Sequence, residues 1–185
     1  MSSPTSPTFR ACKTLFDDVV LLQRTNHEDA RGSFGKLYSD KIFIEMGIVI
    51  GPFKETIYSL SSRDVIRGMH YQQAPLECSK LVSVVKGSIM DVIVCIKPSE
   101  SGRDYGKSYA CLLSARNCRS LLIPSGYAHG FRSLEDETIV VYNQTADYSK
   151  EHDKGIHYLS FGYNWDLAEP IISDKDKNLP AIAVP

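Results

Sequence analysis

Short apolar segments separated by turn signals dominate the chain, and helical periodicity is scarce. The clearest apolar segment, residues 80–96, predicts two strands joined by a tight turn at residues 86–88. Further strands are predicted at residues 120–124 and 138–143, and weaker ones at 19–22 and 34–38. Many short strands with frequent turns are typical of a β-sandwich or a β-barrel, and the pattern alone does not distinguish a jelly roll from other β architectures.

The remaining segments predict one domain with little helix. Residues 40–47 predict a short helix that Asp40 caps and Gly47 ends. Residues 1–8 are mostly Ser, Pro and Thr and are interpreted as a flexible tail. Residues 9–185 contain no internal repeat and no change of composition, so they are predicted to form a single domain whose C-terminal part lies over the body as loops and short helices.

Composition and charge exclude several classes of protein. The 185 residues include 21 basic and 22 acidic ones, so the basic surplus of a nucleic-acid-binding protein is absent. No apolar run approaches the roughly 20 residues that a membrane-spanning helix needs, and the N-terminus does not resemble a secretory signal. The five cysteines are odd in number and lack CxxC spacing, which favours reduced thiols in a cytoplasmic protein over a disulfide framework or a structural zinc site.

Two histidines stand among apolar and glycine residues, His70 and His129. Each is interpreted either as a core or turn residue with satisfied hydrogen bonds or as a residue with a chemical role. A metal site is poorly supported, because Tyr71 and Gln72 follow His70 and the HxH pair of many β-barrel metal sites is missing. No metal is therefore predicted.

Arg67 precedes His70 by three residues, and a regular strand would place the two on opposite faces. A bend at Gly68 would allow both side chains to reach one pocket. An arginine there suits a phosphate, which a guanidinium holds with two hydrogen bonds. The alternative is a surface arginine in a solvated ion pair.

A series of motifs in chain order resembles the dTDP-4-dehydrorhamnose 3,5-epimerase family. The motifs are Arg31-Gly-Ser-Phe34, Val65-Ile-Arg-Gly-Met-His-Tyr-Gln72, Lys80-Leu-Val-Ser-Val-Val-Lys-Gly87, Asp91-Val92, Ile123-Pro-Ser-Gly-Tyr-Ala-His-Gly-Phe131 and Ile172-Ser-Asp-Lys-Asp176. The resemblance covers roughly residues 20–180. It implies an all-β, cupin-type jelly-roll barrel, or double-stranded β-helix, with a few short helices. It also implies a homodimer, a site without metal or cofactor, and a nucleotide-diphosphate 4-keto-6-deoxy sugar as substrate in deoxysugar biosynthesis.

The resemblance assigns four catalytic residues. His70 is the general base, Asp176 orients it, Lys80 is the cation near the carbonyl, and Tyr142 returns a proton from the opposite face. These residue types fit the chemistry of inversion next to a ketone. A neutral imidazole accepts a proton near pH 7, an ammonium stabilises an enolate oxygen, and a phenol carries a proton below about pH 10.

The resemblance also implies residues that hold the diphosphate, the base or the sugar: Arg31, Phe34, Arg67, His129, Tyr148 and Lys177. Arg31 and Arg67 are candidates for the diphosphate, and Phe34 for stacking on the base.

Three positions depart from the family pattern. The family usually has Glu where Lys36 stands, and Gln and Asn where Glu55 and Ile57 stand. If Lys36 and Glu55 both face the base, they match cytosine better than thymine, because an ammonium can only donate hydrogen bonds. This predicts a CDP-linked sugar in preference to a dTDP-linked one. The alternative is a salt bridge between Lys36 and Glu55 across neighbouring strands, with no contact to nucleotide.

Two rival functions remain beside the epimerase. A nucleotide-sugar 3,4-ketoisomerase of similar fold also transfers protons next to a carbonyl, but the presence of Tyr142 with Lys80 and Asp176 favours the epimerase. A nucleotide-sugar or glycan-binding barrel without activity would not need these residues together with His70.

Overall fold

The computed structural model describes residues 6, 8–97 and 103–182. Most of the predicted tail, residues 1–5 and 7, lies outside the described residues. The described part contains strands β1 (Phe9–Cys12), β2 (Val20–Arg24), β3 (Asn26–Asp29), β4 (Gly32–Gly35), β5 (Glu55–Ser61), β6 (Ile66–Gln72), β7 (Lys80–Lys86), β8 (Ser88–Cys95), β9 (Ser108–Ser114), β10 (Arg119–Ile123), β11 (Tyr127–Ser133), β12 (Thr138–Gln144) and β13 (Asp153–Gly155), and helices α1 (Asp40–Glu45) and α2 (Asp174–Lys177). The predicted all-β class with a few short helices is confirmed.

Two antiparallel sheets form the body. The six-stranded sheet has the order β1-β2-β10-β7-β12-β5, and the five-stranded sheet has the order β13-β6-β11-β8-β9. Strands that follow each other in the chain are often in different sheets, as the jelly roll requires. Strands β3 and β4 pair only with each other and form a separate hairpin, which we call the β3–β4 hairpin.

Side chains from the facing surfaces of the two sheets form the central core. Val82 and Val140 come from the six-stranded sheet, Ile93 and Phe131 come from the five-stranded sheet, and all four are at most 1% exposed. Because side chains alternate along a strand, every second residue of β8 and β11, and of most of β7 and β12, points between the sheets. Polar residues at these inner positions therefore face one enclosed space.

Further apolar clusters cover the outer faces of the sheets. Phe43 of α1 packs with Phe9 and Leu22 over the six-stranded sheet, and Trp165 of the C-terminal segment packs with Met69 and Val94 over the five-stranded sheet. Burial on both faces explains why β7 and β8 read as continuous apolar runs rather than as alternating patterns. The longest helix described, α1, has six residues, and no helix in this part of the chain is long and apolar enough to cross a membrane.

The predicted strands at residues 80–96 are present, but the expected hairpin is wrong. Strand β7 belongs to the six-stranded sheet and β8 to the five-stranded sheet, so the turn at Gly87 carries the chain from one sheet to the other. Gly87 has φ +76°, and a Cβ atom at this position would collide with Thr138. The predicted position of the turn is confirmed, whereas the predicted pairing of the two strands with each other is wrong.

Two further predictions need correction. Helix α1 begins at Asp40, but its N-cap is Ser39, whose backbone is extended, so Asp40 lies in the first turn instead of capping the helix. The strand predicted at 34–38 is displaced, because β4 ends at Gly35 and pairs with β3 outside the two main sheets. The predicted end near Gly47 agrees with a positive φ of +71° just after the helix.

Candidate active site

Strand β6 departs from regular alternation at Gly68. Ile66 and Met69 are three residues apart, yet both pack in the outer cluster over the five-stranded sheet. The register between β6 and β11 shifts at the same point, between His129 and Phe131. Such an irregularity reverses the direction of the following side chains. As a result Arg67 and His70 both point between the sheets, which is the consequence expected of a bend at Gly68.

Two glycines permit this irregularity. Gly68 has φ +122°, and a Cβ atom built on it would lie 2.6 Å from the Cα atom of Gly130 on β11. A Cβ atom on Gly130 would lie 2.6 Å from the carbonyl oxygen of Arg67. The two backbones are thus too close for any side chain at either position.

His70 forms a dyad with Asp176. The Nε2 atom of His70 lies 2.7 Å from Oδ1 of Asp176, and the backbone N–H of Gly68 donates to Oδ2 of the same carboxylate at 3.1 Å. An ionised carboxylate can only accept hydrogen bonds, so the shared proton belongs on Nε2 of the imidazole. Nδ1 then carries the free lone pair, as a general base requires.

Asp176 is held in place by helix α2. Its backbone N–H donates to the side chain of the N-cap residue Ser173 at 3.1 Å, and only 4% of Asp176 is exposed. Burial acts to raise the pKa of Asp176, but the hydrogen bonds from His70 and Gly68 outweigh it and the pKa is lowered. The carboxylate therefore stays charged beside the imidazole at neutral pH.

Lys80 lies at the start of β7, close to the same dyad. Its Nζ atom is 3.5 Å from the backbone carbonyl oxygen of His70. Burial lowers the pKa of Lys80, and neighbouring groups that include Asp153 and Asp91 oppose this shift without reversing it. Within the described residues no carboxylate lies within 4.0 Å of this ammonium. Lys80 is a partly enclosed cation whose charge is available to a bound anion.

Tyr142 belongs to the sheet opposite to that of His70. It lies on β12, and its hydroxyl group shares a hydrogen bond of 2.9 Å with Oγ of Ser59 on β5. Burial raises the pKa of Tyr142, and the hydrogen bond of Ser59 and the charge of Arg67 offset only part of the shift. The phenol is thus protonated at neutral pH and can act as an acid.

A second histidine–carboxylate dyad lies deeper between the sheets. Nε2 of His129 is 2.7 Å from Oδ1 of Asp91, and the two side chains are 5% and 0% exposed. The ring of His129 meets that of Tyr142 edge-on at a centroid distance of 6.3 Å. Asp91 belongs to the motif Asp91-Val92, to which the resemblance assigns no role, although a lone carboxylate in the apolar strand 88–95 is a visible signal.

Arg67 lines the same space through contacts with β5. Its Nε atom donates to Oγ of Ser61 at 3.0 Å, and its Nη2 atom donates to the carbonyl oxygen of Leu60 at 3.0 Å. No carboxylate partner of Arg67 occurs among residues 8–97 and 103–182. The solvated ion pair considered as the alternative is therefore not formed.

The residues predicted on the β3–β4 hairpin lie away from the dyad. Arg31 pairs with Asp29 of the same hairpin and its side chain is 90% exposed. Phe34 is 70% exposed, and Lys36, which follows β4, is also exposed. Within one chain the structure does not bring these three side chains together with His70.

Glu55 does not pair with Lys36. The neighbouring-strand arrangement considered for them is wrong, because Glu55 begins β5 in the six-stranded sheet and Lys36 follows the separate hairpin. Oε2 of Glu55 instead accepts a hydrogen bond from the backbone N–H of Tyr148 at 3.1 Å.

Lys177 lies in α2 with its Nζ atom 3.7 Å from Asp174, so it remains on the exposed side of the helix that carries Asp176.

The arrangement is suited to proton transfer at carbon. A base with a free nitrogen lies on the five-stranded sheet, and a protonated phenol lies on the six-stranded sheet. Lys80, also on the six-stranded sheet at the start of β7, places its Nζ atom 3.5 Å from the carbonyl oxygen of His70. A ketone bound between the sheets could lose a proton to one side and regain it from the other. Among the described residues no group of three His, Cys, Asp or Glu side chains is placed to hold a metal ion.

Comparisons with known proteins identify the family of the chain. The family model described as dTDP-4-dehydrorhamnose 3,5-epimerase matches residues 13–183. A protein of that name from Methanothermobacter thermautotrophicus is 37% identical over 175 residues, which is 92% of each chain. The crystal structure of the Bacillus anthracis enzyme with TDP and PPi bound is 35% identical, has a TM-score of 0.89, and is matched over 95% of this chain and 100% of its own. A Legionella pneumophila epimerase in complex with dTDP-4-keto-L-rhamnose is 31% identical, with a TM-score of 0.87 and coverage of 94% and 92%.

Proposed function

The chain belongs to the dTDP-4-dehydrorhamnose 3,5-epimerase family, and from this we propose that it inverts C3 and C5 of a nucleotide-diphosphate 4-keto-6-deoxy sugar. The observation that supports the proposal most strongly is that the His70–Asp176 dyad and Tyr142 lie on facing sheets, with Nζ of Lys80 3.5 Å from the backbone of His70. The product serves deoxysugar biosynthesis.

The first step is removal of a proton from the carbon next to the ketone. Nδ1 of His70 accepts this proton, and Asp176 stabilises the imidazolium that forms. The electron pair moves onto the carbonyl oxygen and gives an enolate. Lys80 stabilises this negative charge, because its ammonium is already held in a partly dehydrated position.

The second step returns a proton to the opposite face of the same carbon. Tyr142 donates the proton of its hydroxyl group, and the ketone re-forms with inverted configuration. Proton removal and return leave the oxidation state of the sugar unchanged, so the proposed reaction balances without a redox cofactor. The 3,4-ketoisomerase alternative moves the carbonyl group instead, and no contact among the described residues favours it over inversion.

We propose dTDP as the nucleotide. Two structurally similar epimerases are described with TDP or with a dTDP-linked sugar bound. The expectation of a CDP sugar required Lys36 and Glu55 to face one base together, whereas Lys36 follows the separate β3–β4 hairpin, Glu55 lies in the six-stranded sheet, and Glu55 accepts from the backbone N–H of Tyr148. That expectation stays a prediction, and a direct comparison of the two nucleotides decides it.

Deuterium uptake followed by NMR tests the function and the nucleotide together. In D2O, we expect the protein to introduce deuterium at C3 and C5 of dTDP-4-keto-6-deoxyglucose and to invert both centres. The CDP-linked analogue should react at least about tenfold less efficiently, since one mismatched hydrogen bond in a buried site costs roughly 1–3 kcal/mol. Migration of the ketone to C3 would favour the ketoisomerase. Absence of exchange with either sugar would refute the proposal, and a preference for the CDP sugar would support the Lys36 and Glu55 interpretation.

We also propose that the protein acts as a homodimer. Strand β5 is an edge strand of the six-stranded sheet, and Tyr58 and Leu60 on its outer face are 74% and 56% exposed. Large exposed apolar side chains on an edge strand are typical of a surface that another chain covers. The exposed Arg31 and Phe34 would then contact nucleotide in the site of the partner subunit.

Mixed dimers test this arrangement. Arg31→Ala and His70→Ala variants should each have low activity alone. If the β3–β4 hairpin serves the partner subunit, a purified dimer of one chain of each kind contains one intact site and should recover about half of the wild-type activity. If the hairpin serves its own chain, both sites are defective and no activity should return.

The expected cytoplasmic location remains part of the proposal. All five cysteines lie in the described part of the chain and are free thiols. Reduced thiols are typical of proteins kept in a reducing compartment.

A further inference from the structure

After the proposed inversion at one carbon, the protonation states of His70 and Tyr142 do not permit an inversion at a second carbon. After one inversion His70 is an imidazolium and Tyr142 is a phenolate. Before C3 or C5 can be inverted next, His70 must lose a proton and Tyr142 must gain one. A route that reprotonates Tyr142 while the sugar is bound would allow both inversions to occur before the substrate dissociates.

The contacts of Tyr142 restrict that route. The shared hydrogen bond with Ser59, at 2.9 Å, is the contact that its hydroxyl group makes within the described residues. The neighbouring His129 has its Nε2 atom engaged by Asp91, and its ring meets Tyr142 at its edge with the centroids 6.3 Å apart. Neither Lys80 nor Asp176 is hydrogen-bonded to the phenol. Ser59 is therefore the group positioned to pass a proton to the tyrosine oxygen.

The position of Ser59 suits this role. It lies on the edge strand β5, opposite Val140, and is only partly buried, so its hydroxyl group can exchange protons with water. Two residues along the strand, Ser61 holds Arg67, whose positive charge offsets part of the rise in the pKa of Tyr142 that burial causes. A hydrogen-bond donor and a nearby cation both stabilise a phenolate during its short lifetime.

We propose that Ser59 is a positioning residue that returns a proton to Tyr142 between successive inversions; the inference rests on the proposed epimerase function. Ser59 donates its hydroxyl proton to the phenolate oxygen as it accepts another proton from water, so the serine itself is unchanged. The imidazolium of His70 releases its proton to solvent in the same cycle. The sum of these transfers moves one proton from His70 to Tyr142 and leaves no charge behind.

Rapid-quench kinetics with Ser59→Ala test the relay. The variant keeps Tyr142 and should complete the first inversion at close to the wild-type rate. Reprotonation of Tyr142 should then limit the turnover of the variant. Singly inverted sugar should therefore accumulate to one equivalent per site, followed by a steady-state rate at least about tenfold slower than that of the wild-type protein. Wild-type protein should show no such burst. Ser59→Thr keeps the hydroxyl group and should restore the steady-state rate, and Ser59→Cys, whose thiol is a weaker donor, should fall between the two.

Ser61→Ala is the matched control. It removes the same atom from the same face of β5, but this hydroxyl group contacts Arg67 rather than Tyr142. We expect weaker binding of dTDP and no burst.

A Ser59→Ala variant that slows the first inversion as much as the steady state, or that slows neither, would overturn the relay. If Ser59→Ala fails to fold, a wild-type rate in Ser59→Cys would overturn it equally. Absence of any exchange in the wild-type protein would instead refute the epimerase function.

Discussion

A His70→Ala variant should lose deuterium exchange at the sugar carbons by about 10²–10⁴-fold, the usual contribution of a positioned general base. The other residues of the proposed site have different roles. Lys80 is assigned to the carbonyl oxygen, and Tyr142 is a protonated phenol on the opposite sheet. NMR of the substrate in D2O measures the loss directly, because exchange requires only removal and return of the proton.

Two accompanying measurements make the His70 result specific. Affinity for dTDP should be unchanged, since in the proposed reaction the imidazole contacts the sugar and not the nucleotide. Asp176→Asn should reduce exchange less than His70→Ala, because it removes the charge that stabilises the imidazolium and leaves the base in place. Exchange that persists in His70→Ala near the wild-type rate would show that another group is the base.

Tyr142→Phe should separate exchange from inversion. The variant keeps the aromatic ring and loses only the hydroxyl group, so His70 should still remove the proton and return deuterium to the same face. We expect exchange within about tenfold of the wild-type rate and inversion reduced by about 10²-fold or more. NMR distinguishes the two outcomes, because inverted and uninverted sugars have different coupling constants.

The control for Tyr142→Phe is Tyr38→Phe. Tyr38 packs against Phe43 and Phe53 in the outer layer, and its hydroxyl group donates to Asp40 at 2.9 Å, away from the site. Its loss should leave both exchange and inversion unchanged. Normal inversion in Tyr142→Phe would mean that water or another group supplies the second proton, and the relay through Ser59 would then have no acceptor.

Much of the secondary structure could be predicted because each strand carries its own local signal. The apolar run and the glycine turn located β7 and β8 within one residue. Their sheet partners could not be predicted, since a tight turn is compatible both with a hairpin and with a crossing between sheets. Residues buried on both faces also remove the alternation that would have indicated which side faces the central core.

The candidate site was less accessible to sequence reasoning than the motifs suggest. The assignment of His70 and Tyr142 came from resemblance, and no local pattern indicates that their strands face each other from different sheets. Asp91 does carry a local signal, because a carboxylate in an apolar strand indicates a residue with a specific role. Ser59 gave none, because a serine in a half-exposed edge strand is ordinary until its partner across the sheet is known.

Gly68 and Gly130 have a wider consequence. Neither has a functional group, yet the close approach of their backbones permits the irregularity that places Arg67 and His70 on the same side of β6. A search for essential residues that scores only reactive side chains would pass over both. In a mutational scan this pair of glycines would behave like part of the chemistry, because the direction in which the base points is encoded by two positions where nothing larger than a hydrogen atom fits.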